Sequence, residues 1–480
     1  MVKRFGSTVA IAAMLAGCGG GGGGSGSAPG APVAIAPTPV PGPIATCSVR
    51  ARQDFVGAQI REFYLFPETL PASLDPAGFA TVDAYVDALT ATARSQRRDR
   101  FFTYVTSIAE ENAFANSGAS AGFGVRLTTD AAARRVFIAE AFEGAPALAA
   151  GIDRGTEIVA IGTTANDLRT VSSIIAAEGT AGVTNALGPS TPGTTRVLQV
   201  AGTGGARTVT VAKADFSLTP VSSRYGAKII EENGKRFGYL NLRTFSIQSA
   251  ATSLPQAFAT FKANRVTDVV IDFRYNGGGL VSIADLIGDL LGANRSTSDV
   301  LDYTVFRPEK ASNNTTRFFQ PRTESIAPTR LAFIGTGATA SASELVINAQ
   351  IPYLRANAAL IGTNTFGKPV GQIARDNAAC DDRLRVVAFR TENRDRQGDY
   401  YDGIATVVQA SCQAADDISR PLGDPQEAST RAALNFLQGI GCTRIAGSEV
   451  GAQSVGASAR RDLLAPERPA VAQREVPGLF

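Results

Sequence analysis

Two stripes of apolar residues at helical spacing stand near the start of the chain. Pro67 should end the first helix, since proline cannot continue one, and Thr81 is suited to cap the start of the second. The stripes consist of Phe55, Val56, Ile60 and Phe63, and of Val82, Tyr85, Val86 and Leu89. We therefore expect residues 48–118 to form a helical N-terminal domain.

The pattern changes to alternating strands over residues 119–215. RVFI at 135–138, TTRVLQVAG at 194–202 and ARTVTVAKA at 206–214 each alternate in the manner of a half-buried strand. The sequence Ala145-Pro146-Ala147 opens a short helix, and GIDRGT at 151–156 leads into a further strand at 157–161. Together with the loop GFGV at 122–125, this order of segments resembles a PDZ domain.

The PDZ resemblance implies a peptide-binding loop made of Gly122, Phe123, Gly124 and Val125. Backbone N–H groups that glycines leave open form a nest for a chain-terminal carboxylate, and the next strand edge pairs with an extended peptide. Phe123 would line the pocket for the terminal apolar side chain. The alternative is a module of the same shape that only packs against its neighbour.

Strands and helices alternate over residues 216–445, as in an α/β core. Residues 237–242, 269–273 and 331–334 read as strands, and the continuous apolar run at 269–273 is typical of a strand buried on both faces. That run ends in the turn RYNGGG at 274–279, and the strand at 331–334 leads into a serine-containing segment. Active groups at strand ends are where α/β sheets place their chemistry. The whole chain is therefore predicted to be a multidomain α+β and α/β protein.

Composition narrows the chemistry that this fold could perform. The chain has 480 residues, enough for two or three domains, and its net charge of +3 gives no indication of nucleic-acid binding. It contains no histidine, which excludes a Ser-His-Asp triad, a Cys-His pair and a His-ligated metal. We expect no metal and no cofactor, and a nucleophile would need Lys, a carboxylate or a terminal amine as its base.

The N-terminus has the features of an export signal. Lys3 and Arg4 precede an apolar run at 9–15 that is too short to span a bilayer, and LAGC ends at Cys18. This resembles the lipobox of bacterial lipoproteins, which implies a signal peptide over residues 1–18 and lipidation of Cys18. Gly19 then favours the outer membrane, facing the periplasm, and the Gly/Pro-rich residues 19–47 read as a tether. The alternative is an ordinary secretory signal with a chance cysteine.

Four further cysteines suggest two disulfides, because an exported protein enters an oxidising compartment. Cys380 and Cys412 flank what looks like one hairpin and form our first pair, which leaves Cys47 to pair with Cys442. Free buried thiols are the alternative, and the wide spacing is wrong for a zinc site. Residues 446–480 contain several Pro and Arg residues and are predicted to be a disordered tail.

Residues 335–372 carry the candidate catalytic groups. A lysine deprotonates a serine only when neutral, so its pKa must fall from about 10.4 to roughly 7–8, as burial among apolar groups can bring about. Lys368 has no acidic neighbour in sequence and follows Phe366, and the amide of Gln372 can orient it without favouring its charge. The glycine turn at 277–279 could supply a backbone N–H to an oxyanion.

Three segments in order, DFRYNGGG, TASASE and TFGKPVGQ, resemble the carboxyl-terminal processing peptidases, also called tail-specific proteases. The resemblance covers roughly residues 50–442 and implies a peptidase core of the crotonase-like or ClpP-like kind. It implies Ser341 as nucleophile, Lys368 as base and Gln372 as its orienting group. It also implies Ala342 and Gly278, or Gly277, as the oxyanion donors. Counting back from the lysine would instead select Ser343, because the intervening segment is about two residues longer than usual.

The resemblance implies a serine endopeptidase that acts on proteins or peptides near apolar C-termini. Two other classes stay open. The same fold could hold peptides or apolar ligands without cleaving them, as a binding lipoprotein. It could also act as an envelope scaffold that recruits proteins through the PDZ-like loop.

Overall fold

Three helices and one strand form the N-terminal part of the computed structural model, which describes residues 47–446 and 461–480. Helix α1 ends before Pro67, and Thr81 Oγ1 accepts the Ala84 N–H at 3.1 Å as the predicted cap of α2. The strand, β1, was not predicted. The elements are α1 Val49–Phe63, α2 Val82–Ser95, β1 Tyr104–Ser107 and α3 Ile108–Ser117, with 3₁₀ helices at Pro67–Thr69 and Pro76–Gly78.

The second region, which we call the β module, is an antiparallel sheet with two helices. Its strands hydrogen-bond in the order β3-β4-β5-β7-β8, with β6 on β5 and with β2 and β9 paired separately. Helix α5 is interrupted at Gly179, where φ is 65°. The elements are β2 Ala119–Gly122, β3 Val125–Asp130, β4 Arg135–Ala141, α4 Pro146–Ala149, β5 Glu157–Gly162, β6 Arg169–Thr170, α5 Val171–Leu187, β7 Thr195–Gly202, β8 Gly205–Ala212 and β9 Ala214–Ser217.

The third region, the core, contains two sheets. The elements are β10 Lys228–Glu232, β11 Lys235–Asn241, α6 Ala250–Ala263, β12 Asp268–Asp272, α7 Val281–Leu290, β13 Val300–Phe306, β14 Thr315–Phe318, β15 Arg330–Gly335, α8 Ala342–Leu354, β16 Ala358–Gly362, β17 Val370–Asn377, β18 Asp382–Glu392, β19 Ala410–Gln413 and α9 Ala428–Leu437. Further 3₁₀ helices lie at Pro308–Asn313, Arg355–Asn357, Ala378–Cys380 and Ile404–Thr406.

The larger core sheet has the order β10-β11-β12-β15-β16-β19 and is parallel apart from the β10–β11 pair. Helices cover both of its faces. Val269 and Ile271 of β12 pack in the cluster formed with α6, α7 and α8, whereas Val270 packs with Leu434 of α9 on the other face. A strand buried on both sides needs apolar residues at every position, which is why residues 269–273 read as one continuous run.

The N-terminal helices pack on the second core sheet. In that sheet β18 pairs with β17, β1 and β13, and β13 pairs with β14, all antiparallel. The apolar stripes of α1 and α2 bury against Val370, Leu384 and Val386 of β17 and β18. The N-terminal part is therefore built onto the strand that follows Lys368, rather than standing apart from the core.

The prediction of a disordered tail is wrong for residues 461–480, while residues 447–460 lie outside the described residues. Strand β20, Asp462–Leu463, pairs antiparallel with β3, and a short helix α10 covers Val471–Glu475. Val476, Leu479 and Phe480 are at most 4% exposed. The tail has no helical or alternating apolar pattern in its sequence, and its buried apolar residues pack against segments that are distant in the chain.

The predicted disulfide pairing is also wrong. The bonds join Cys47 to Cys380 and Cys412 to Cys442, with Cα–Cα distances of 5.3 and 5.4 Å. The hairpin near Cys380 is β17–β18, and Cys380 lies in its turn, next to the start of α1. Cys412 belongs instead to β19, whose Gln413 N–H donates to Thr443 O at 2.8 Å, so the neighbouring Cys442 is its partner. Pairing from sequence order failed because the hairpin was placed wrongly.

Non-reducing peptide mapping of protein purified under oxidising conditions tests this connectivity. We expect two cross-linked peptides, one joining Cys47 to Cys380 and one joining Cys412 to Cys442, because these pairs have their Cα atoms within disulfide range. Both should disappear after reduction. Peptides joining Cys380 to Cys412, or Cys47 to Cys442, would contradict the fold described here.

Candidate active site

The three predicted catalytic segments follow three adjacent strands of the parallel sheet. Strand β12 leads into the turn at 274–279, β15 into Ser341, and β16 into Lys368. Because the strands are parallel and neighbours, their carboxyl ends open on the same edge of the sheet. The fold thus brings together segments that are separated by up to about a hundred positions in the sequence.

Ser341 caps the start of α8 in a backbone conformation that L-residues rarely adopt. Its φ and ψ are 56° and −115°, in the region that favours glycine. The residue is half-buried at the sheet edge. Ser343, the alternative nucleophile, is fully buried, and its hydroxyl donates to Asn276 O at 3.1 Å. Of the two serines, Ser341 is the one whose side chain is left partly open to solvent.

A buried carboxylate, Glu344, connects the backbones of Ser341 and Lys368. Its Oε2 accepts the N–H of Ser341 at 2.9 Å and the N–H of Lys368 at 2.7 Å. Its Oε1 accepts the N–H of Gly367 at 2.7 Å and the hydroxyl of Thr365 at 2.6 Å. Burial raises the pKa of Glu344, and these four hydrogen bonds oppose that rise. The backbones at Ser341 and Lys368 are therefore fixed to one shared oxygen.

Glu344 was quoted in the sequence motif but given no role. The signal was present, because a serine followed three residues later by glutamate is the pattern of a helix capping box. That pattern accounts for the contact with the Ser341 N–H. It does not reveal the contacts with residues 365–368, which come from another loop.

The side chain of Lys368 contacts Gln372, the residue predicted to orient it. Nζ donates to Gln372 Oε1 at 2.9 Å and lies 4.8 Å from the centroid of the Phe102 ring, while Gln372 Nε2 donates to Phe102 O. Burial lowers the pKa of Lys368, and the carboxylates of Glu475, Asp99 and Glu344 oppose that effect. Within the described residues Nζ hydrogen-bonds Gln372 and not Ser341 Oγ; catalytic contacts of this kind commonly tighten once substrate is bound.

The N-terminal domain supports the loop that carries the lysine. The guanidinium of Arg100 donates to Phe366 O at 2.6 Å and to Gly367 O at 2.5 Å, and it stacks 3.9 Å from the centroid of the Phe366 ring. Sequence reasoning gave this domain no role. It could not do so, because the contacts join residues more than 260 positions apart.

The glycine turn lies directly against Ser341. A Cβ placed on Gly278 would lie 2.7 Å from Ser341 Cβ, so only glycine fits there. The Gly278 N–H donates to Asn276 Oδ1 at 2.9 Å and is therefore occupied. Within the described residues, the N–H groups of Gly277 and Ala342 have no hydrogen-bond acceptor. These two are the donors that the turn and the start of α8 leave available.

A cluster of buried charges lies behind the turn. Arg274, fully buried, pairs with Asp272 at 2.9 Å, Glu427 at 2.8 Å and Asp416 at 3.2 Å. Arg154 of the β module reaches Asp416 at 2.9 Å and so joins that module to the core. Although burial opposes it, Arg274 lowers the pKa of Glu427 to about 2. In the described part of the chain, no group of three or more acidic or cysteine side chains is arranged to hold a metal ion.

The predicted peptide-binding loop has a backbone segment bound to it. The N–H groups of Gly124 and Val125 donate to Phe480 O at 2.9 and 3.1 Å. Phe123 and Phe480 share one hydrophobic cluster. A Cβ on Gly122 would lie 2.8 Å from Phe480 C, which explains the glycine there. The loop thus binds extended backbone, and the backbone that it binds belongs to this chain.

The core is similar in sequence to known peptidases. Residues 236–404 match the profile of Peptidase family S41. A carboxyl-terminal-processing protease of a Picosynechococcus species is 30% identical over 253 residues, which are 52% of this chain and 55% of that protein. A chloroplastic C-terminal processing peptidase of Tetradesmus obliquus is 29% identical over 275 residues, 54% of each chain. The chain therefore spans about half the length of these relatives.

A crystal structure from Bacteroides fragilis, described as a candidate S41 protease, has the same fold. It superimposes with a TM-score of 0.61 at 24% identity and covers 80% of this chain and 97% of its own. At 24% sequence identity, this likeness is evidence for a shared fold alone. Because it covers 80% of this chain, it extends well beyond the 236–404 segment.

The backbone strain at Ser341 can be measured by comparing glycine with alanine. We expect Ser341→Gly to have a larger free energy of unfolding than Ser341→Ala, by roughly 1–3 kcal/mol, because glycine adopts positive φ without steric cost. The matched control is Ser343, which lies inside α8, where glycine should be less stable than alanine. Denaturant unfolding of the four variants gives both differences. Equal stability of the two Ser341 variants would mean that the position is unstrained.

Proposed function

We propose that this chain, which carries a peptidase family S41 domain over residues 236–404, is a serine endopeptidase of the carboxyl-terminal processing kind. Ser341 is the nucleophile and Lys368 the general base. The observation that carries the proposal is the pairing of Lys368 Nζ with the neutral amide of Gln372, on a loop that shares the Glu344 carboxylate with Ser341. A neutral partner orients the amine without stabilising its charge.

The mechanism is acyl transfer in two steps. Neutral Lys368 takes the proton of Ser341 Oγ as that oxygen attacks the substrate carbonyl carbon. The N–H groups of Ala342 and Gly277 donate to the resulting oxyanion, since both are without an acceptor in the described residues. The ammonium of Lys368 then protonates the leaving amine. Water, deprotonated by Lys368, releases the acyl group from Ser341 and restores the free hydroxyl.

The β module supplies substrate selection in this proposal, as a PDZ-like domain. Its loop at 122–125 presents two N–H groups to one backbone oxygen, and the edge of β3 next to it pairs with extended backbone, as peptide binding by strand addition requires. Substrates are proteins or peptides with apolar C-termini, delivered from this groove to Ser341. The ion pairs of Arg154 with Asp416, and of Arg243 with Glu140 and Glu143, fix the module's position relative to the turn.

We place the protein in the bacterial cell envelope as a lipoprotein, attached through Cys18 and the Gly/Pro-rich tether, at the outer membrane facing the periplasm. The support is the sequence of the first 47 residues, nearly all of which lie outside the described part of the chain. Two disulfides in the described part fit an oxidising compartment. No helix among the described residues is both long and apolar enough to cross a bilayer.

Two substitutions and a serine-directed probe test the dyad. Purified protein should degrade a loosely folded substrate, and Ser341→Ala or Lys368→Ala should lower kcat/KM by at least a thousandfold, because each removes a group that forms or breaks a bond. Labelling by an acyl-type serine probe should be lost in Ser341→Ala and kept in Ser343→Ala. If Ser341→Ala were active and Ser343→Ala inert, the assignment of Ser341 as the nucleophile would be wrong. Peptide binding without turnover or labelling would select the ligand-binding alternative.

The pH dependence of kcat/KM reports the base. Burial lowers the pKa of Lys368, and only the neutral amine accepts the Ser341 proton. Activity should therefore rise with pH along a limb whose midpoint lies below the solution lysine value of about 10.4. A flat profile from mildly acidic to alkaline pH would contradict a lysine base. Gln372→Glu should move the midpoint to higher pH, because a carboxylate beside Nζ favours the ammonium form.

A further inference from the structure

Residues 478–480 add a short strand to the open edge of β3. The Leu127 N–H donates to Gly478 O at 2.8 Å, and the Phe480 N–H donates to Val125 O at 2.9 Å. Leu479 lies opposite Arg126 in an antiparallel bridge. With the two N–H groups of the loop on Phe480 O, this is the geometry of a peptide bound by strand addition. The predicted peptide-binding groove is therefore filled by the chain itself.

The side chains of this segment are anchored as those of a ligand would be. Phe480 packs with Phe123 and Leu464 in the hydrophobic cluster of the β module. Val476 and Leu479 pack with Phe114 of α3 in a second cluster. Arg126, itself 1% exposed, donates to Pro477 O at 2.5 Å and to Tyr275 O at 3.0 Å. The segment therefore contacts the groove and the catalytic turn at once.

The residues just before the groove lie over the catalytic turn. A Cβ on Gly277 would lie 3.2 Å from Pro477 Cγ, so the ring of Pro477 packs against the residue that carries one of the two free oxyanion donors. The hydroxyl of Ser246 donates to the Glu475 carboxylate, and Thr244 Oγ1 donates to Glu475 O at 3.4 Å. A substrate that reached from the groove to Ser341 would need this same path.

Glu475 also affects the pKa of Lys368, the proposed base. Its carboxylate raises the pKa of Lys368, as do Asp99 and Glu344, whereas burial lowers it. Asp99 belongs to the N-terminal domain and Glu344 to α8. Glu475 belongs to the C-terminal segment that lies over the turn. With the segment in place, the lysine is thus held closer to its protonated form, which does not accept a proton from serine.

We propose that residues 474–480 are an in-cis ligand of the PDZ-like groove, and that the peptidase is latent until a substrate with a similar apolar end displaces them. A separate peptide that replaces this segment should have an extended backbone and a bulky apolar residue at the position of Phe480. Small or apolar residues should stand at the two positions before it, as in Pro-Gly-Leu-Phe. The latency rests on the proposed function. The occupancy of the groove rests on the contacts alone.

Peptide binding tests the occupancy without any need for catalysis. The probe is a fluorescein-labelled peptide, AVAQREVPGLF, titrated by anisotropy against Ser341→Ala protein with and without Phe480→Asp. Loss of the apolar anchor should free the groove, so the Phe480→Asp protein should bind the probe at least tenfold more tightly. An attached ligand competes at an effective concentration in the millimolar range, which a free peptide cannot match. A peptide ending in Asp is the control and should bind neither protein.

Hydrolysis of an unstructured substrate tests latency. In the otherwise wild-type chain, Phe480→Asp should raise kcat/KM at least tenfold. Glu475→Gln keeps the anchor and the size of the side chain but loses the charge beside Lys368 and the charged contact with Ser246, and should raise kcat/KM about threefold or more. Its matched control, Glu467→Gln, makes the same change at an exposed position seven residues before the segment and should leave the rate unchanged.

The outcomes separate this inference from the proposed function. Equal probe binding by the proteins with and without Phe480→Asp would overturn the in-cis ligand. Tighter binding by the Phe480→Asp protein, with no hydrolysis by any protein, would support the in-cis ligand and contradict the peptidase assignment. Hydrolysis that is equally fast in wild type, Phe480→Asp and Glu475→Gln would support the peptidase and overturn the latency. Should Phe480→Asp fail to fold, Glu475→Gln against Glu467→Gln decides the question by rate.

Discussion

The site depends on one buried carboxylate. Glu344 accepts four hydrogen bonds, from the nucleophile's backbone, from the two backbone amides at residues 367 and 368, and from a threonine hydroxyl. Each hydrogen bond to a charged group contributes about 1.5–3 kcal/mol, and a buried carboxylate without them would be strongly unfavourable. Ser341 can stay in a strained conformation because the surrounding structure fixes it, which is the usual condition for strain at a functional position.

Arginines extend this rigidity to the three regions of the described part of the chain. Arg154 and Arg243 pair across the boundary between the β module and the core, and Arg100 joins the N-terminal domain to the lysine loop. Such pairs add little net stability when compared with apolar packing, but removing one partner is costly, so they fix one arrangement against others. The relative placement of groove, turn and base is therefore specified by charge pairs, while the apolar clusters supply most of the folding free energy.

The parts of this structure that local sequence encodes were predictable. Strand β12 follows from its continuous apolar run and the turn after it from its glycines, while Ser341, Lys368 and Gln372 were proposed from motifs that lie within a few residues. The failures share a different cause. The Cys47–Cys380 bond, the contacts of Arg100 and the binding of residues 478–480 to β3 each join segments far apart in the chain. No local pattern records such pairings, and a proline-rich composition concealed the buried residues of the tail.

The bond between Cys47 and Cys380, which are 333 positions apart, closes a covalent ring that includes the β module and most of the core. A single backbone cut anywhere inside this ring leaves the two pieces linked. An enzyme exposed to other proteases, or to its own activity at a surface loop, would keep its mass and its N-terminal helices after one such cut. Damage of that kind would become visible only on a reducing gel.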